Sequence, residues 1–452
     1  MGASLGPRRV STVGWVGESA MCVGTWQRWG QTIQGAATTA GAQMPMGQVY
    51  ESGGERSVFA EVDVLVAGSG PAGFAAALYA ARAGASVLLA ERYGYLGGMM
   101  TGALVVPVLG MGNGSGTGAT AGGILTELRD HLDAFGGITN STADGDYWID
   151  PELFKWQAVE MLAAAGATVL AHAMVCDPII EDGAVCGAFL ETKQGRVAVR
   201  AKVTIDATAD GDLAFRAGCA YDNETHDVTL GCRLGGVDPE RMKAFTKENP
   251  DKAAEILAAA KALNNDRLPG QSWYMKDVDV TDPVALTEAE NRFRRDCYAA
   301  LMYLRENMPG YENARVAKTF PQIGVRQSRR VHGEYAITDA DIQASRHFPD
   351  GIARLGSYLL GYELYGVPGL HYDIPYRCLV PKGIDGLLIS GRCISGDYLA
   401  INTLRLIVPC FATGQAAGTA AALAAQQGVE PRNVDTDVLR DLLREQNVPL
   451  DY

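Results

Sequence analysis

Residues 61–91 read EVDVLVAGSGPAGFAAALYAARAGASVLLAE, and the spacing predicts a strand, a tight turn, a helix and a second strand in that order. Val62, Val64, Leu65, Val66 and Ala67 make a short apolar run, as expected of a parallel strand buried on both faces. Gly68, Gly70 and Gly73 follow at once in G-x-G-x-x-G spacing. The first allows the tight turn, the second lets backbone N–H groups approach a pyrophosphate, and the third lets the helix pack closely on the strand. The predicted helix, about Ala72 to Ala83, is rich in alanine, so its N-terminal N–H groups and dipole can face an anion, and Gly84 ends it. Val87, Leu88 and Leu89 form the second strand, which delivers Glu91 at its carboxyl end, 21 residues after Gly70. An acid at that place accepts hydrogen bonds from an adenosine ribose with a free 2′-hydroxyl, which favours NAD or FAD over NADP. A lone glycine motif is a weak signal, and a glycine-rich turn in some other α/β unit is the competing reading. Here the strand, helix and acid that the motif requires are all present.

Length and charge narrow what surrounds this unit. A chain of 452 residues can bury large cores and is expected to form two intimately connected domains. A net charge of −13 argues against nucleic acid or an anionic membrane surface as partner. No uninterrupted apolar run is long enough to predict a membrane-spanning helix. The nine cysteines are scattered and never form C-x-x-C, so a dithiol redox pair, an iron–sulfur site and a zinc knuckle lack support. Wide spacing and an odd count suggest reduced thiols in a cytoplasmic compartment. Residues 1–57 are rich in Gly, Ala, Ser, Thr and Gln. Arg8-Arg9 gives a faint likeness to a twin-arginine export signal, but Glu18, Gln27 and Arg28 interrupt the apolar region, and the expectation is a low-complexity extension.

Downstream of Glu91, Gly97-Gly98 lets backbone approach a ligand, and the alternating glycines from Gly110 to Gly118 predict a loop, with a lid as its functional reading. Helices are expected over 120–135 and from Pro151 to near Gly166. Short β-rich segments from Thr168 to Val203 predict an antiparallel meander leading into the buried strand Val203–Asp206 and the turn Ala207-Thr208-Ala209-Asp210-Gly211-Asp212. Residues 220–370 break the α/β alternation with long helical segments and polar loops, as an inserted substrate or cap domain would. In it, Arg326, Ser328, Arg330, His332 and Glu334 would share one face of a strand. Residues 371–430 return to α/β, with a short strand at Leu387–Ile389 and a helix over 402–427 that kinks or begins near Pro409; a final helix lies in 431–452.

Together, the fingerprint at 68–73, ERYGYLGGMM, IDATADGDLA, GVRQSRRVHGEYAIT, YDIPYRCLVPKG and LLISGRCISGDYLAINTLRLIVPCFATGQAAGTAAALA make the chain similar, over about residues 60–430, to a broad family of FAD-dependent oxidoreductases with the Rossmann-type fold of the glutathione-reductase superfamily. The resemblance implies an α/β fold: a Rossmann-type FAD-binding domain with parallel sheet and β-meander, in two parts (58–219 and 371–430), around an inserted, helix-rich substrate domain. It implies FAD as cofactor. Gly68, Gly70, Pro71, Ala72 and Gly73 would meet the pyrophosphate, and Glu91 and Arg92 the adenosine ribose. Gly97, Gly98, Met99, Ala207 and Asp210 would line the same cleft, and Gly391, Arg392 and Asn402 would stand near the ribityl chain and the flavin. Two departures stand out: Gly391-Arg392 replaces a common Gly-Asp, and Ala209 stands where glycine is common. No second G-x-G-x-x-G follows a strand, so a dedicated NAD(P)H domain is not expected.

Flavin carries the hydride, and the protein supplies a proton acceptor or donor and a substrate clamp. The acid/base candidates are His371 first, then His332, Tyr372 and Tyr398; the clamp candidates are Arg326, Arg330, Arg392 and Arg405. The leading expectation is hydride transfer between flavin and a small organic substrate at a C–OH or C–C centre. The alternatives are a flavin monooxygenase using NAD(P)H and oxygen, and a flavin-carrying subunit that passes electrons to a partner. The expected partner is a small molecule, with an electron-transfer partner or a homo-oligomer also compatible.

Overall fold

Val64, Leu65, Val66 and Ala67 are fully buried, and they pair in parallel with Val87–Ala90 on one side and Val203–Asp206 on the other. Strand β1 (Val58–Ala67) is therefore the centre of the sheet. The computed structural model describes residues 54–112, 121–224, 226–360, 363–366 and 369–451, without the side chains of 358–360 and 363–366. The expected extension before residue 54 and most of the expected glycine loop lie outside the described residues. Residues from Arg56 onward form one unit.

Beside β1 run β2 (Val87–Glu91), β3 (Thr168–Ala171), β4 (Met174–Glu181), β5 (Ala184–Thr192), β6 (Gly195–Asp206) and, far along the chain, β7 (Leu387–Ile389). The strand order is β3-β2-β1-β6-β5-β4, with β7 also on β6. On the edge away from β1, strand β6 is long enough to serve two neighbours. Its first half pairs antiparallel with β5, and its second half, Thr204–Asp206, pairs parallel with β7. The expected meander thus begins one strand later than its sequence suggests. Thr168–Ala171 joins the parallel sheet beside β2, because the turn at 172–173 comes early enough to let it follow the crossover helix.

Successive residues point to opposite faces. Val64, Val66, Leu89 and Ile205 face a layer of helices: α1 (Pro71–Arg82), α2 (Ile124–Asp133), α3 (Pro151–Ala165), and two helices from the end of the chain. Leu65, Ala67, Leu88 and Ile389 face the meander side. Helix α3 starts where Asp150 accepts from the N–H groups of Glu152 and Leu153 and stops at Gly166, whose φ of 83° suits a residue without Cβ.

Between β6 and β7 the chain builds α4 (Pro239–Glu248), α5 (Pro250–Leu263) and α6 (Pro283–Asn307), and a three-stranded sheet from His226–Leu230, Trp273–Val278 and Gly324–Val325. Trp273 and Phe293 meet edge to face, 5.8 Å apart, in its core. The Arg326–Glu334 stretch does not form the single strand expected. It is interrupted at 326–328, where the buried Gln327 amide donates to the Tyr398 carbonyl, so the side chains scatter. Arg330 meets Glu224, His332 is exposed beside Asp222, and Glu334 pairs with Arg432.

The helix expected over 402–427 is two: α7 (Tyr398–Leu404) and α8 (Ile407–Gln427). Pro409 falls in the first turn of α8, where its missing N–H costs nothing. Helix α8 is long and apolar enough to cross a membrane by length and composition, but almost all of it is buried inside the protein. It packs on α1 so closely that Gly414 and Gly418 have no room for a Cβ: one would stand 2.1 Å from the Ala72 and Ala76 carbonyl oxygens. Helix α9 (Thr436–Glu445) is capped by Asp435 and lies on the same layer.

Candidate functional site

Strands β1 and β6 end side by side, and the chain turns away from each through a small residue. At Gly68 (φ 94°) an added Cβ would stand 2.7 Å from the Ala207 carbonyl, and at Gly73 it would stand 1.8 Å from the Gly68 carbonyl. These two glycines are small because backbone fills the space. Gly70 differs, with no protein atom within 4 Å of its would-be Cβ. Its open side faces a cavity of about 590 Å³, a volume that suits a small-molecule or cofactor site.

Of the residues expected around the dinucleotide, Gly68, Gly70, Pro71, Ala72, Glu91 and Arg92 line this cavity, as do Gly98, Met99, Ala207, Asp210, Gly391 and Arg392. Gly73, Gly97 and Asn402 stand behind the wall. Gly73 carries the α1–β1 approach, Gly97 donates from its N–H to the Ser69 carbonyl, and the Asn402 amide oxygen accepts two hydrogen bonds from Arg405. Glu91 is fixed at the end of β2 by the Ser69 N–H and hydroxyl (2.9 and 2.6 Å) and the Tyr93 N–H (2.9 Å). Gly98, with φ 51°, crosses so near Gly70 that a Cβ would meet its Cα at 2.8 Å.

The turn after β6 hangs from Asp206, a fully buried carboxylate that accepts from Thr208 N–H and hydroxyl and from Ala214 N–H. Burial pushes its carboxyl up and these donors oppose that. Ala209 takes φ 72°, a left-handed conformation in a residue with a Cβ.

Arg405 also lines the cavity, at the junction of α7 and α8. Burial first, and then the guanidiniums of Arg326 and Arg392, push its pKa down to about 9. His371 and Tyr398 do not line the cavity, nor does His332, which lies exposed on the surface. The strand after His371, Tyr372–Pro375, pairs with Gly351–Leu355 instead of entering the parallel sheet, which carries that histidine elsewhere. Tyr398 stacks on His226 at 5.6 Å. Residues that sequence reasoning missed come from the segment between β6 and β7: Tyr274, Phe320 and Gln322 join Arg326 in the wall. Nothing local in the sequence marks them, because they gather from separate elements.

Residues 63–443 match the family described as FAD dependent oxidoreductase. The chain belongs to that family. Its cofactor is FAD, and it is an enzyme by that membership. Among curated proteins, a thiamine thiazole synthase of Methanococcus vannielii is 30% identical over 33% of this chain and 56% of its own length. One of Aeropyrum pernix is 33% identical over 44% of this chain and 81% of its own length. A solved structure described as geranylgeranyl bacteriochlorophyll reductase-like, from Thermoplasma acidophilum, aligns over 85% of this chain and 84% of its own with a TM-score of 0.43 and 17% identity.

The cavity fits a dinucleotide on its own geometry. It has an open glycine edge at the start of a helix, an acid at the end of the next strand, and buried donors with no acceptor among the described residues: Nε and Nη1 of Arg392.

Proposed function

We propose that this protein transfers a hydride between flavin and a small organic substrate at a C–OH or C–C centre. The supporting observation is that one cavity is lined both by the glycine turn and Glu91 and by Tyr274, Phe320, Gln322 and Arg326 from the segment between β6 and β7. Bound there, FAD would supply the hydride acceptor or donor. Gly68, Gly70 and the first turn of α1 would hold the pyrophosphate, Glu91 the adenosine ribose, and Arg392 an anionic or hydroxyl group of the cofactor's middle. The lining residues from the segment between β6 and β7 would orient the substrate and exclude water. Tyr274 is the hydroxyl-bearing titratable group which that segment contributes to the cavity, and its role would be to hold or move the proton that accompanies the hydride.

The thiazole synthases match less than half of this chain. Most of the chain therefore has no counterpart in those matches, and a reaction that depends on it would differ from theirs.

The test is the visible spectrum of the purified protein, followed by anaerobic addition of alcohols, enones and carboxylates. Bleaching by a substrate supports hydride transfer. Oxygen uptake that needs NAD(P)H would replace it with a monooxygenase. Gly70→Ala separates site from scaffold. With open space around the new methyl group, the apoprotein should keep its stability to within about 0.5 kcal/mol. FAD affinity should drop by tenfold or more, about 1.4 kcal/mol.

A further inference from the structure

Although the whole chain carries a net charge of −13, the cavity gathers Arg92, Arg326, Arg392 and Arg405 against Glu91, Asp210 and Asp212. Each of those acids is already engaged. Glu91 is held by Ser69 and Tyr93, Asp210 accepts from Ser328 (2.6 Å) and Arg392 Nη2 (2.8 Å), and Asp212 pairs with Arg329 at 2.8 Å. Among the described residues, Arg405 has the neutral Asn402 amide oxygen on its guanidinium, at 3.2 and 2.8 Å. Arg392, with its side chain 7% exposed, keeps Nε and Nη1 buried with no acceptor among the described residues. A buried donor left unpaired is costly, and more so when it is charged. Guanidiniums gathered in a partly dry cavity also repel one another. The fall in the Arg405 pKa follows first from burial and then from this crowding. Arg326, from the segment between β6 and β7, lines the same cavity with its guanidinium 5.4 Å from the Tyr274 ring centre.

Resting on the hydride-transfer reading above, we propose that the substrate is a carboxylate, and that its anionic group sits between Arg326 and Arg405. Two guanidiniums lining one cavity can each take one oxygen of a carboxylate, and such charge-assisted pairs are stronger than neutral hydrogen bonds. Seating the anion fixes the rest of the molecule beside Tyr274 and Phe320. Arg392 lies beside Asp210 and the turn after β6 and answers the cofactor's own negative charge, so the two anions have separate partners.

The probes are benzoate and succinate, with benzamide and succinamide as uncharged counterparts, titrated into flavin-loaded protein and followed by flavin absorbance. The acids should perturb the spectrum saturably and the amides should not. In Arg326→Gln the acids should bind about tenfold more weakly or worse, as loss of a charged hydrogen bond implies. FAD affinity should change less than about threefold, and Arg326→Lys should recover part of the loss. Equal binding of acids and amides overturns the proposal. So does an equal loss of FAD affinity in Arg326→Gln, because the guanidinium would then serve the cofactor's phosphates. Should the wild-type protein bind no flavin at all, hydride transfer fails as a function. The anion site is then read separately from the thermal shift of the flavin-free protein: stabilisation by the acids, lost in Arg326→Gln, supports the site, and none overturns it.

Discussion

Replacing Gly418 by alanine should destabilise this protein, although glycine-to-alanine changes within helices ordinarily stabilise by about 1 kcal/mol. The new Cβ would stand 2.1 Å from the Ala76 carbonyl oxygen and 2.7 Å from its Cα, so helices α1 and α8 must part by about 0.9 Å to reach the 3.0 Å floor of real contacts. Both obstructing atoms are backbone, so no side chain can swing away. A gap of that size forfeits a quarter to a half of each dispersion contact across the seam. That seam includes the Phe74–Phe411 edge contact at 6.3 Å and the alanines that flank it. Overpacking ordinarily costs about 1–3 kcal/mol; with backbone on one side the upper part of that range applies, leaving a net loss of about 2 kcal/mol after the propensity gain. Urea unfolding of the flavin-free protein measures it, as a lower midpoint at unchanged slope. Gly414→Ala should lose as much, and should also weaken FAD binding, because the carbonyl it strikes belongs to Ala72 in the first turn of α1. A midpoint for Gly418→Ala equal to or above wild type would refute the close approach of these helices.

Three further outcomes are expected. Ala209→Gly relieves a left-handed φ of 72° and should stabilise by up to about 1 kcal/mol, the relief being partly offset by the extra freedom of glycine in the unfolded chain; thermal unfolding checks it. Asp150→Ala should cost about 1 kcal/mol, because two N–H groups at the start of α3 lose their acceptor; urea unfolding read by circular dichroism reports it. His226 has its pKa pushed down to about 4 from an ordinary 6.5, by burial first and then by Arg405 and Arg326. The unfolded chain therefore binds the extra proton first, so stability is full above pH 6.5 and falls as pH drops towards 4. His226→Gln should flatten that part of the pH–stability curve, and a curve parallel to wild type would contradict it.

The parts of the site that depend on backbone close approach were legible in the sequence. Gly68, Gly70 and Gly73 declare where a Cβ is forbidden or where space is left open, and the order strand, turn, helix, strand places Glu91 on the neighbouring edge. The parts that depend on assembly were not. Alternation along 326–334 suggested a strand face, yet Gln327 turns inward to a carbonyl on the far side of the segment, and only Arg326 of that set reaches the cavity. His371 is near the last strand in sequence, but antiparallel pairing with Gly351–Leu355 takes the intervening chain away from the parallel sheet. Thr168–Ala171 carries the same β-rich signal as the meander that follows, and its partner, β2, decides its direction. In each case the deciding contact lies far along the chain, where local pattern carries no information.

The chain leaves the parallel sheet at Asp206 and re-enters it at Leu387, hydrogen-bonded to the strand it left, after about 180 residues. The floor of the cavity thus resembles a socket with both contacts side by side, and what is plugged into it can change length at little thermodynamic cost. Each doubling of an excursion adds only about 0.6 kcal/mol of closure entropy. Its two ends are another matter: Ala207 and Asp210 at its start line the cavity, and Ile352, Leu355, Tyr372 and Ile374 near its close pack into the same core as α1 and α8. A graft would therefore have to keep both ends, and a chimaera joined inside them would exchange only the residues between.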